Sequence, residues 1–139
     1  MSARFLDAVP ATIRSAERDA LAALLVRHAP RGAVRAAEAL AAAAMNRRRR
    51  LATMWNGAFA EAPFALGAAF ANLPDQPVSA RADARWTATC RRVAARALAG
   101  AAGDPACGGW IVVPTRMPAP EQPCALAACV GAFAFYRDP

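Results

Sequence analysis

Apolar residues recur at steps of three and four from Pro10 to His28. Ile13, Ala20, Leu21, Leu24, Leu25 and His28 fall on one face, and Glu17, Arg18 and Arg27 lie mostly off it. That period predicts an amphipathic helix, with Thr12 or Ser15 as its N-cap. His28 is expected to face inward, one turn beyond Leu24 and Leu25. Pro30 disfavours helix at Ala29 and ends the segment, and Arg31-Gly32 forms the turn. A second helix is predicted from about Ala33 to Arg47. Its small-residue centre, Ala-Leu-Ala-Ala-Ala-Ala-Met, lets another backbone approach closely. The run Arg47–Arg50 loads positive charge at its C-terminal end, which suits the helix dipole.

Residues 51–80 are less regular. Trp55, Phe59, Phe64 and Phe70 supply much of the aromatic volume, and Pro63, Pro74 and Pro77 punctuate the stretch. Ser79 or Asp83 is expected to cap a third helix with Trp86, Cys90, Val93, Ala94, Ala97 and Leu98 as its apolar stripe. Arg85, Arg91, Arg92 and Arg96 fall largely elsewhere, and Gly100 is the expected C-cap. Gly108 to Pro114 reads as a short strand ended by proline. Residues 114–123 hold four prolines and read as a loop. Cys124 to Cys129 is expected as a helical turn, and Val130 to Tyr136 as a strand that pairs with 109–113. No internal repeat is visible. These elements divide the chain into an N-terminal arm, 1–9, and one domain, 10–139.

Composition changes this picture little. The chain has 139 residues, 57% of them hydrophobic, but 41 are alanine. Alanine favours helix and contributes little core volume, so close-packed helices are expected. No apolar run of transmembrane length lacks a charge. The net charge is +7 and every basic residue is Arg, a bias that a GC-rich genome also produces. Cys90, Cys107, Cys124 and Cys129 include no CxxC pair, and the single His completes no zinc set. Buried free thiols are the expected state, because the N-terminus lacks the apolar region of an export signal. No metal or cofactor motif is read. Synthesis in the cytoplasm is expected, with release to the cell wall by lysis as the route outward.

One stretch carries a family likeness. From His28-Ala-Pro-Arg-Gly through the alanine-rich helix to Asn46-Arg47, the chain resembles SleB-type cell-wall hydrolases. That family has Glu-Ala-Arg-Gly-Glu followed by an Ala-Val-Ala helix ending in Asn-Arg. Three later stretches agree in order. Cys90 to Gly100 resembles the family helix that ends Ala-Leu-x-Gly. Asp104-Pro105-Ala-Cys-Gly108-Gly109 resembles its Asp-Pro-Thr-x-Gly-Ala. Val130-Gly131 to Phe135-Tyr136 resembles its closing Ile-Gly-x-x-x-Phe-Tyr. The resemblance covers about residues 17–137. It implies a compact, mainly helical α+β fold of lysozyme-like type with a small C-terminal antiparallel β element. It also implies an activity that cuts peptidoglycan glycan strands.

The departures fall on the polar residues. The family's catalytic Glu is replaced by His28, its second Glu falls at Gly32, and its Tyr-His pair falls near Val112-Val113. Glycan cleavage needs a general acid on the glycosidic oxygen. A Glu in an apolar cleft serves well, being protonated when needed and negative beside the developing sugar cation. Imidazolium ends neutral instead, so His28 matches that transition state poorly, although its unperturbed pKa suits proton transfer. His28 also reads as a core-edge histidine bonded to backbone. Glu17 lies about 16 Å along the helix from His28, too far to help. Glu38, on the adjacent helix, is the candidate replacement acid, and Glu121 on the proline-rich loop is a weaker one. The resemblance places Asn46, Arg47, Gly108, Gly109 and Tyr136 in the substrate-binding region.

Three functional readings follow. The first is a peptidoglycan-directed hydrolase relative that has lost catalysis and serves as a binding or structural domain, with a further protein as assembly partner. The second is an active hydrolase whose acid is Glu38 or His28. The third is a basic nucleic-acid-binding module built on Arg47–Arg50 and the helix bearing Arg85, Arg91, Arg92 and Arg96. No aromatics interleave those arginines, which argues against stacking on single strands.

Overall fold

In the computed structural model, which describes residues 11–54 and 67–139, helix α1 spans Ala11–His28 and helix α2 spans Val34–Met54. The N-terminal arm lies outside the described residues, as do Trp55, Phe59, Glu61, Pro63 and Phe64 and the side chains of Thr12 and Ile13.

Every residue of α2 from Ala36 to Ala44 except Glu38 is buried. A helix that is apolar nearly all round belongs in the middle of a core, and methyl side chains let neighbours approach from several sides. Helix α2 runs seven residues past its expected end at Arg47. Arg, Leu and Ala are all good helix formers, and the arginine run finds partners on other elements instead of ending the helix.

Helix α1 buries Leu21, Ala22, Leu25, Val26 and His28, with Ala29 just after it, while Leu24 and Ala20 are only half-buried. The buried stripe is thus rotated by about one residue from the expected one. Leu21 and Leu25 are wholly inaccessible, each worth roughly 1.5–3 kcal/mol of transfer free energy. At its C-terminus the irregular segment after a short 3-10 turn (Ala68–Phe70) crosses the helix end. Gln76 N donates to Arg27 O at 2.7 Å and Gln76 Nε2 donates to His28 O at 3.2 Å. Two carbonyls that a helix end leaves without intrahelical donors are thereby satisfied.

A four-residue helix α3, Val78–Arg81, precedes α4, Ala84–Leu98. Of the two expected caps, Asp83 is the one used: its side chain accepts from Trp86 N at 2.8 Å, and Ser79 lies inside α3. Gly100 has φ +71°, with Gly100 N bonded to Ala97 O and Ala101 N to Arg96 O. This paired closure is the Schellman arrangement, in which glycine takes the left-handed position after the cap residue Ala99.

The C-terminal part is a three-stranded antiparallel sheet, with β1 Ile111–Pro114, β2 Ala125–Val130 and β3 Phe133–Arg137 in the order β1-β3-β2. The expected pairing of the last strand with 109–113 is present, from Ile111↔Tyr136 to Pro114↔Phe133. Two expectations are corrected. Cys124 to Cys129 is no helical turn: Ala125–Val130 is a strand on the other side of β3, with a bulge between Leu126 and Ala128. Val130 therefore closes β2 instead of opening the last strand. Six residues are too few to hold a helix on alanine propensity alone, whereas β3 offers a full row of backbone partners. The sheet edge on β1 ends at Pro114, where a missing N–H is tolerated.

Strands β1 and β2 pack against α2, and the two ends of the β3 segment also reach it. A Cβ at Gly131, before β3, would lie 3.7 Å from Ala36, and Asp138, after β3, pairs with Arg50. Seven extended steps and fourteen helical steps both cover about 21–23 Å, so the two elements match in length. Phe135 and Phe70 are the largest wholly buried side chains. All four cysteines are free thiols, but only Cys90 is buried; Cys124 is half-buried and Cys107 and Cys129 are exposed. No described helix is long and apolar enough to cross a membrane.

Candidate functional site

The residues singled out in the sequence lie in three separate places. His28 is at the C-terminal end of α1. Its Nδ1 is 3.1 Å from Pro74 O, and because a carbonyl only accepts, this contact places the proton on Nδ1. The ring packs against Phe70, with centroids 5.7 Å apart, and the residue is 6% exposed. Asp75 Oδ1 is 3.9 Å from the same nitrogen but is held by Arg27, whose Nε and Nη2 donate to the two carboxylate oxygens at 2.8 and 3.1 Å. The Arg27 guanidinium holds the Asp75 carboxyl below its usual range, mainly through that hydrogen bond. His28 thus anchors the crossing segment 70–76 and, at 6% exposure, is closed from solvent.

Asn46, Arg47, Gly108, Gly109 and Tyr136 come together at the far end of α2, about 18 Å along the helix from Val34. Asn46 is the hub. Its Nδ2 donates to Gly109 O at 2.9 Å and to Asp104 at 3.2 Å, and its Oδ1 accepts from Arg49. Asp104 in turn accepts from Ala106 N at 3.1 Å and Gly108 N at 2.8 Å, which folds residues 104–108 into a tight turn. Gly108 has φ +83°, a conformation that favours glycine. Trp110 N donates to Tyr136 O at 2.9 Å, joining the turn to the sheet. The Trp110 ring lies under two guanidiniums, with Arg50 at 4.4 Å and Arg47 at 5.7 Å from its centroid. Three sequence stretches that looked independent are thus bonded directly to one another. The side chains of Asn46 and Asp104 are used in that bonding, while Arg47 Nε and Trp110 Nε1 are buried with no hydrogen-bond partner among the described residues, and the cluster joins α2, the turn and the sheet. Asn46 lies within the helix instead of at its end. Asp104 and Trp110, absent from the sequence-based set of site residues, are its other members.

The basic run is committed as well. Arg48 pairs with Glu17, both largely buried, Arg49 bonds Asn46, and Arg50 pairs with Asp138. Those contacts take Glu17 out of consideration as an acid and leave Arg47–Arg50 less free to meet a phosphate backbone. Glu121 is exposed on the loop between β1 and β2.

Glu38 is elsewhere again. Nine residues separate it from Arg47, which puts the two about half a turn apart around α2. It faces α4 and lines a groove of about 390 Å³ with Val34, Ala41, Thr89, Arg92 and Arg96 among its neighbours. His28 is not part of this groove, so the two candidate acids, His28 and Glu38, do not share a site. Among the described residues, no hydrogen bond or ion pair engages the Glu38 carboxylate. Arg92 is held in place, its Nη2 donating to Thr89 Oγ1 at 3.1 Å while Thr89 donates to Arg85 O at 3.1 Å. Arg92 and Arg96 are one turn apart on α4. Their position off the apolar stripe was visible in the sequence, but the pairing of that charged flank with Glu38 on another helix was not. No group of three or more His, Cys, Asp or Glu among the described residues is placed to hold a metal ion. In comparisons with known proteins, the chain matches no family model, no curated protein and no solved structure.

Proposed function

We propose that this chain is a peptidoglycan-directed relative of SleB-type cell-wall hydrolases that binds the wall without cutting it, as a binding or structural accessory domain. The sequence likeness from His28 to Tyr136 motivates the family, and a helical body flanked by a small antiparallel sheet is compatible with the lysozyme-like architecture that belongs to this reading. The observation that carries the loss of catalysis is the state of His28. The residue in the acid's place is closed from solvent and bonded to Pro74 O. Among the described residues, the carboxylate beside it is that of Asp75, which Arg27 occupies.

A second reading has one observation in its favour. Glu38 is a half-buried carboxylate in a groove, with no partner among the described residues, the setting in which a relocated general acid works. One experiment separates the two. Purified protein is incubated with peptidoglycan sacculi, pelleted, and the supernatant analysed for muropeptides by mass spectrometry. The expected result is protein in the pellet and no released anhydro- or reducing-end muropeptides, with His28→Glu equally silent. Release by the wild type, abolished in Glu38→Gln, establishes the second reading. Protein that stays in the supernatant overturns the cell-wall reading altogether.

A further inference from the structure

The groove between α2 and α4 has the charge layout of a receptor for a small zwitterion. On one wall Glu38 offers a carboxylate with no partner among the described residues. On the other wall Arg92 and Arg96 offer two guanidiniums, and the Thr89 contact fixes the first of them. Opposite charges face one another across the groove, yet neither arginine closes on Glu38 to form an ion pair. The space between them, about 390 Å³, falls within the roughly 300–1,000 Å³ common for small-ligand sites. Its lining includes the small aliphatic groups of Ala41, Val93, Ala97 and Ala102, which suit methyl-sized side chains.

From these features we infer that the groove binds a short peptide with a free ammonium group, free carboxylates and small side chains. The ammonium is taken by Glu38 and the carboxylates by Arg92 and Arg96. Guanidinium is the better carboxylate ligand because its planar fork can donate two parallel hydrogen bonds. A carboxylate half-withdrawn from water gains more from an ammonium than an exposed one does. The inference rests on the cell-wall reading in one respect only: within that reading it names the peptide portion of peptidoglycan, and not the sugar chain, as the part recognised. The stem peptide combines alanine methyl groups, a glutamate carboxylate and a diamino acid with a free amine, which is the chemistry the groove presents.

Isothermal titration calorimetry with the synthetic tripeptide N-acetyl-Ala-γ-Glu-Lys, whose lysine amine is its one free ammonium, tests it. The wild type is expected to bind. Acetylating the peptide's lysine amine and substituting Glu38→Gln are each expected to weaken binding about tenfold, the scale of one charge-assisted hydrogen bond. The two changes together are expected to cost no more than either alone. Arg96→Ala is expected to weaken the tripeptide about tenfold as well, and to do so equally for the lysine-acetylated peptide. Arg96 is exposed and Glu38 half-buried, and circular dichroism of each variant verifies the fold. Absence of tripeptide binding, or binding indifferent to Glu38→Gln and Arg96→Ala, overturns the inference. Parallel sedimentation with whole sacculi and with sacculi stripped of peptide by an amidase keeps the two proposals apart. Retention on both with no tripeptide binding leaves the cell-wall reading standing and removes this one. Tripeptide binding without sedimentation on sacculi does the reverse.

Discussion

A Cβ added to Gly109 would meet Phe135 Cβ at 2.7 Å and Ala106 O at 2.9 Å. Neither atom can retreat easily, since one is the Cβ of a wholly buried side chain on the central strand and the other a backbone carbonyl inside a tight turn. Gly109→Ala is therefore expected to destabilise the protein by about 1–3 kcal/mol, the usual range for overpacking. Gly103→Ala is the matched control, because a Cβ there meets nothing within 4 Å, and a change of no more than about 0.5 kcal/mol is expected. Urea denaturation of both variants measures the difference, and equal midpoints would mean that the turn does not pack on β3 as described. The same position shows how a functional motif and a packing constraint overlap. Gly108-Gly109 read as a binding feature in the sequence, and the backbone requires glycine at both places for reasons of conformation and space. His28 has the same double character: its inward direction followed from helical spacing, but its engagement with Pro74 and Phe70 depended on a segment 46 residues away.

Helix α4 was legible because its signals are local. Asp83 precedes the apolar stripe, and Gly100 follows it. The Asp83 carboxylate accepts from Trp86 N, satisfying one of the donors that a helix start leaves open. Asp83→Ala is expected to cost about 1 kcal/mol, seen as a Tm lower by roughly 3–5 °C for a chain of this size. Asp83→Asn keeps an acceptor and is expected to lose much less. The Arg31 contact at 3.5 Å is exposed and contributes little, so a loss equal in both variants would place the effect in that ion pair and not in the cap. The elements that were misread lack such local signals. Ala125–Val130 carries helix-favouring alanines, and only β3, reached through a two-residue turn at Gly131-Ala132, makes it a strand. The far end of α2 depends on Glu17, Trp110 and Asp138, residues distant in sequence that receive its arginines. The groove at Glu38 was half legible: the carboxylate was singled out, but its facing arginines needed the packing angle of α2 on α4, which spacing does not contain.

At the scale of the whole molecule, the alanine-rich composition makes a core in which few large side chains are shared among many small ones. Cys90 is among the largest that are wholly buried, beside Phe70, Phe135, Leu21, Leu25 and Leu40. Burial pushes its thiol up from the ordinary 9.0 to about 12, because the thiolate has no water or cation to stabilise it. The thiolate is the reactive species, so Cys90 reacts only when the core opens. In native protein at pH 8, alkylation with iodoacetamide is expected to modify Cys107, Cys124 and Cys129, with Cys90 following only at the rate of unfolding. Mass spectrometry of timed samples reads this directly, and four thiols modified at one rate would mean that α1, α2 and α4 do not enclose Cys90. The same burial sets a pH dependence whose sign is fixed by linkage. The folded state holds the Cys90 proton more tightly than the unfolded state, so this contribution is fully present below about pH 9 and is lost as pH rises from there toward 12. The urea midpoint is expected to fall between pH 8 and pH 10.5 and to fall less in Cys90→Ala. An identical slope in that variant would assign the alkaline loss to other groups.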